Sequence, residues 1–158
     1  MGIRVIKGGF LLVTIIILWS MTSSIDGWGI ITTPISYLGT HPATRQFFPY
    51  LITFQSLFFG AMYRRRNVKP FLAFLGVGSL VLISIYDMSS SNVLHNFFAI
   101  VFFVCQPIIF FSEYTSSKDS LAPTKGFILV MLILLLCLGI LPLPLFEVLS
   151  YALLILFL

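Results

Sequence analysis

The sequence predicts an all-α integral membrane protein, a compact bundle of six transmembrane helices with both ends cytoplasmic, and three observations carry that expectation. The first is composition: of 158 residues, 59% are hydrophobic and only 9% are charged, against about 25% charged in soluble domains, and the mean hydropathy is +1.08. The second is that the apolar residues come in runs long enough to cross a bilayer, separated by short polar stretches. The third is that the basic residues segregate by loop. These runs use up the chain, so residues 1–158 read as one membrane domain.

The first span is expected over Gly8–Ser23, behind Arg4 and Lys7. Its apolar core and the small residues after it resemble a signal peptide, and it is read here as a retained helix. A Gly/Pro-containing polar stretch, Ser24–Gln46, follows as the longest loop. The second span is expected over Phe47–Tyr63, closed by Arg64, Arg65 and Arg66, and the third over Pro70–Ile85, opened by a proline at a position that helices tolerate. After a short turn the fourth span covers Val93–Phe111, and the polar segment Ser112–Lys125 reads as a loop. Gly126–Leu158 is 33 residues, too long for one crossing at about 1.5 Å per residue. Leu141-Pro142-Leu143-Pro144 divides it into a fifth span over Gly126–Ile140 and a sixth over Leu145–Leu158.

Under this assignment eight of the nine Lys and Arg residues fall on one face, and only Arg45 falls on the other. Such a split is what the positive-inside rule expects of a correct span count. The net charge of +4 therefore reflects topology and contact with anionic headgroups, and no nucleic-acid partner is expected. Arg64, Arg65, Arg66 and Lys69 are the candidates for inner-face lipid headgroups. Cys105 and Cys137 both sit in apolar runs without CxxC or His-rich spacing, so they read as buried free thiols.

The outer face collects the remaining chemistry. Asp26, Ser36, His41, Asp87, His95, Asn96 and Glu147 are the candidate binding residues there, because ionisable groups at membrane depth face a bundle interior or water rather than lipid. In the fourth span Asn92, His95, Asn96, Ala99, Phe103 and Gln106 recur at three- and four-residue steps, which puts them on one helical face. Residues of this kind also join transmembrane helices by hydrogen bonds. No HxxxH or HExxH spacing arranges a metal site. No phosphate loop, nucleophile elbow or mid-helix lysine is present, and no catalytic residue, metal or other cofactor is assigned.

The stretch Pro34-Ile35-Ser36-Tyr37-Leu38-Gly39-Thr40-His41-Pro42, with Phe47 opening the second span, resembles a known family. So do His95 with Ala99 and Phe102-Phe103, and Glu147 near the start of the sixth span. The family comprises the six-span proteins that include the damage-regulated autophagy modulators, together with similar bacterial six-helix proteins of unknown function. The resemblance implies a six-helix bundle with both ends cytoplasmic, in which Ser36, Gly39, His95 and Glu147 are the outer-side polar residues. It also implies a role in lipid handling or in regulating other membrane proteins. Tyr37 and Leu38 depart from the more polar residues such a loop motif carries.

The leading functional expectation is a non-catalytic multi-pass membrane protein, in a plasma, inner or organelle membrane. It would bind lipid or a protein partner in the membrane through an outer polar pocket. Two alternatives stand beside it: an accessory subunit of a larger membrane complex, and an intramembrane metal-dependent lipid hydrolase or transferase using His95 with Asp87 or Glu147.

Overall fold

Prolines set where most of the helices begin. In the computed structural model, which describes residues 3–29, 32–86, 88–117 and 120–158, four of the six α-helices carry a proline in their first two positions. A missing N–H loses nothing there, because the first-turn donors have no intrahelical partner. The helices are α1 (Ile3–Thr22), α2 (Phe48–Arg65), α3 (Pro70–Ile85), α4 (Met88–Ser117), α5 (Ala122–Cys137) and α6 (Leu143–Phe157). A short 3-10 helix, Ile35–Gly39, lies between α1 and α2, and the described residues contain no strand.

Three features depart from the sequence expectation. The stretch expected as a loop after Phe111 is mostly helical, because α4 continues to Ser117 and α5 starts at Ala122. Glu113 in that stretch is buried and ion-paired, which holds the extra turn in place. The fifth helix ends at Cys137, short of the expected Ile140, at a glycine turn rather than at the proline pair. Gly139 takes a left-handed φ of 70°, which glycine adopts without a side-chain clash, and the N–H groups of Gly139, Ile140 and Leu141 satisfy the last carbonyls of α5. Finally, Cys137 is exposed, while Cys105 is buried.

Helix α4 is interrupted near its start, where Ser91 is extended (φ −161°, ψ 95°). Beyond it, Phe102, Gln106, Ile109, Phe110 and Glu113 form one fully buried face, at the three- and four-residue steps of a helix. This face packs on Phe59, Met62 and Tyr63 of α2, together with Leu80 of α3 and Leu154 of α6. In the middle of the core the Tyr63 hydroxyl donates to Gln106 Oε1, and Gln106 Nε2 donates to the Phe102 carbonyl at 3.1 Å, so neither buried polar side chain lacks a partner. Helices α2, α3 and α4 each pack extensively on the next in sequence and α5 meets α6 more lightly, while α1 makes the fewest contacts of the six and touches α6 and α2.

Contacts between helix ends fix the directions of the chain. At one end Lys7 Nζ donates to the Leu156 carbonyl at 3.3 Å and Arg66 Nη1 to the Phe157 carbonyl at 2.7 Å. Arg66 Nε lies 2.9 Å from Glu113 Oε1. The start of α1 and the ends of α2, α4 and α6 therefore meet here. Lys125, in the first turn of α5, joins them over the Phe110 ring. The opposite end holds the 3-10 helix, the close of α3 at Tyr86, the start of α4 and the start of α6.

Two helical stretches, Val5–Thr22 and Ser91–Tyr114, are long and apolar enough to cross a membrane by length and composition. Helices α3, α5 and α6 are apolar but only 15 or 16 residues long. Large apolar side chains cover the outside: Trp19, Tyr50, Phe71, Phe74, Val93 and Leu138 are all at least 70% exposed.

A polar cavity and an apolar groove that share a wall

The loop between α1 and α2 does not lie free on the surface. Ile35, Leu38 and Gly39 of its 3-10 helix are buried, and Thr44 Oγ1 donates to the Leu38 carbonyl at 2.8 Å. Gly39 lies against Phe48, where a Cβ would come within 2.9 Å of the ring, so only glycine lets the loop seat this deeply. Seating the loop brings Ser36 to Glu147, 111 residues away. The Ser36 hydroxyl donates to Oε1 at 2.9 Å, and its backbone N–H donates to Oε2 at 3.2 Å. Both carboxylate oxygens are thus held by donors from one residue.

Ser36, His95 and Glu147 line the same cavity, with Ile35, Phe103 and Tyr151 among its apolar and aromatic walls. Its volume is about 30 Å³, room for one or two water molecules and too little for a lipid headgroup. His95 is buried, and its Nδ1 lies 3.0 Å from the Tyr86 carbonyl. A carbonyl only accepts, so Nδ1 carries the proton and the ring ties the close of α3 to the start of α4. No Lys or Arg lines this cavity.

Three other outer candidates lie elsewhere. Asp26 is exposed in the connection after α1. His41 is half-buried; its Nδ1 accepts from the Ala43 N–H at 3.4 Å, and its ring lies 6.0 Å from that of Tyr37. Asn96 is exposed and donates to Asn92 at 3.0 Å, on the flank of α4 rather than on the face of His95. Asp87 lies outside the described residues. Among the described residues no three His, Cys, Asp or Glu side chains are grouped as a metal ion would need.

At the other end Arg64, Arg65 and Lys69 are exposed, whereas Arg66 turns inward to Glu113 and the Phe157 carbonyl. Its guanidinium carbon also sits 5.8 Å from the Phe110 ring centre, close enough for a cation–π contact.

A second, much larger void was not anticipated from the sequence. It runs between α1 and α6 with a volume of about 630 Å³, within the range of small-molecule sites. Its lining includes Leu11, Leu18 and Trp19 of α1, Trp28 beyond it, and Val148, Ala152 and Ile155 of α6, with no charged residue. Ile35 and Tyr151 line both voids, so they form the partition between the polar cavity and the apolar groove. Two polar atoms in the groove wall, Thr14 Oγ1 and Trp28 Nε1, are buried without a hydrogen-bond partner among the described residues. The other hydroxyls along it differ: Thr22 donates to the Leu18 carbonyl and Ser23 to the Ser20 carbonyl.

The local signals for this groove in the sequence were a threonine in the middle of an apolar span and a tryptophan just after it. Neither indicates a cavity until α6 is placed beside α1. Comparison of the chain with known protein families, with curated proteins and with solved structures found no match.

Proposed function

We propose that this protein is a multi-pass membrane protein that crosses the bilayer six times, with its arginine-bearing end cytoplasmic, and that it binds lipid in the groove between α1 and α6. The reading of six crossings draws on the segregation of basic residues, the gathering of alternate helix ends and the apolar exterior. Helices of 15 or 16 residues are about 24 Å long, shorter than a hydrocarbon core of about 30 Å, and are accommodated by local thinning of the bilayer. The resemblance of the Pro34–Pro42 stretch to the six-span family points the same way.

The observation that carries the lipid reading is the groove itself. It is large, uncharged and open along the side of the bundle. The polar cavity of Ser36, His95 and Glu147 then serves as the support behind the groove, fixing the loop that carries Ile35. Lipid would reach the groove sideways from the bilayer, without passing through water.

Native mass spectrometry of the protein extracted in mild detergent tests this reading. Lipid is expected to remain bound at fixed stoichiometry, and Ala152→Phe, which fills the groove, should remove it. Retention unchanged by Ala152→Phe would refute the groove as the site. Thiol labelling of Arg45→Cys and Lys69→Cys, in a background lacking Cys105 and Cys137, should report opposite sides of the membrane.

A further inference from the structure

We infer that the groove holds an anionic phospholipid of the cytoplasmic leaflet, with the phosphate at Lys7 and an acyl chain between α1 and α6. This rests on the lipid-binding reading above and adds the class of lipid and the residue that reads its charge. On α1, Lys7 precedes the groove residues Leu11, Thr14 and Leu18 at three- and four-residue steps, so it continues their face toward the start of the helix. Its ammonium reaches across to α6 and donates to the Leu156 carbonyl at 3.3 Å, beside Ile155 of the opposite wall. A cation therefore stands at the cytoplasmic mouth of an otherwise uncharged groove. The bond lies at the exposed surface, and an ammonium carries three donors, so a ligand oxygen can reach Lys7 without breaking it.

Charge and space at this mouth both fit a phosphate. Lys7 lies within electrostatic reach of Arg66 and Lys125, which α2 and α5 bring to the same end. Like charges held together repel, and an anion bound among them offsets that repulsion. Among the described residues Glu113 is the one acid at this end; it lies 2.9 Å from Arg66 Nε, and no carboxylate pairs with Lys7. A zwitterionic headgroup gains less here, because its own ammonium meets the same cations. Gly8, on the stripe of Leu11 and Ile15, leaves the helix surface bare beside Lys7: a Cβ there would meet nothing within 4 Å. Leu11 is about 6 Å along the axis from Lys7, which leaves room for the glycerol between a phosphate at Lys7 and acyl carbons at Leu11. The α1 wall then runs from Leu11 to Thr22, about 16 Å, close to the depth of one leaflet in a hydrocarbon core of about 30 Å.

The test uses the full chain in mild non-ionic detergent, titrated separately with dioleoylphosphatidylglycerol and dioleoylphosphatidylcholine, which share their acyl chains and differ in net charge. Binding is read by native mass spectrometry. The wild type is expected to hold the anionic lipid about tenfold more tightly than the zwitterionic one. Lys7→Gln should remove most of that preference while leaving the zwitterionic lipid bound as before, and Lys7→Arg should keep it. Lys69→Gln, at an exposed basic residue of the same end, should lower the preference far less. Equal losses from Lys7→Gln and Lys69→Gln would overturn a site at Lys7 in favour of diffuse attraction to a basic surface. Equal binding of the two lipids by the wild type, with both lost in Ala152→Phe, would overturn selection for an anion while leaving the groove as a lipid site. Binding of both lipids unchanged by Ala152→Phe would instead refute the groove itself. A preference for the anionic lipid that survives Ala152→Phe would overturn the placement of its chain between α1 and α6.

Discussion

Glu113 and Glu147 are both buried, one at each end of the bundle, but Glu113 lies 2.9 Å from the Arg66 guanidinium, whereas Glu147 is gripped by the hydroxyl and backbone N–H of Ser36. The consequences differ. Arg66 also reaches the last turn of α6 and the ring of Phe110, so one cation ties together the ends of three helices. A buried charge pair of this kind holds firmly mainly because either partner alone would be costly to leave behind. Glu147 instead fastens a loop to a helix with uncharged donors, which is a weaker and more local attachment. The arginine end behaves as a clasp for the helices. The 3-10 end behaves as a seat for one loop.

The sharpest way to break that contrast is Arg66→Met, which strands the Glu113 carboxylate in the core. It should lower stability by about 3 kcal/mol, read by thermal unfolding in detergent, and the double variant Arg66→Met with Glu113→Leu should recover most of the loss. A double variant as unstable as the single one would show that the packing of Arg66, not its charge, matters. Next comes Glu147→Ala, expected to lose about 1–2 kcal/mol. Hydrogen exchange should quicken at 35–39 and stay unchanged in α2 and α4; uniform quickening would make Glu147 as global a tie as Glu113. The smallest effect expected is that of Gly39→Ala, about 1 kcal/mol, because the new methyl meets the Phe48 ring and lifts the same loop. Exchange in 35–39 should again report it.

Much of the helix pattern was legible in the sequence because its punctuation is local. Pro49, Pro70, Pro123 and Pro144 mark helix starts by chemistry that needs no partner, and the arginine run closes α2. Gly139, whose left-handed turn follows the end of α5, is a weaker signal in the sequence than the nearby Pro142. The Ser, Thr, Lys and Asp residues around Glu113 carry the composition of a loop, although its spacing from Gln106, Ile109 and Phe110 continues the buried face of α4. The stripe drawn through Asn92 and Asn96 was too wide: those two bond each other on the exposed flank, and only His95 among the three is buried. The meeting of Ser36 with Glu147 joins residues 111 apart, and the groove exists only between the first helix and the last. Periodicity within a segment carries no information about either.

The pairing of α1 with α6 also bears on how the chain is made. Helices α3 to α5 each pack closely on the helix before them, whereas α1 touches α2 and α6 only lightly, and the Lys7 to Leu156 bond spans 149 residues. The groove therefore has only one wall until residues 143–157 have been made and packed against α1, so its shape is a property of the closed bundle and of no single segment.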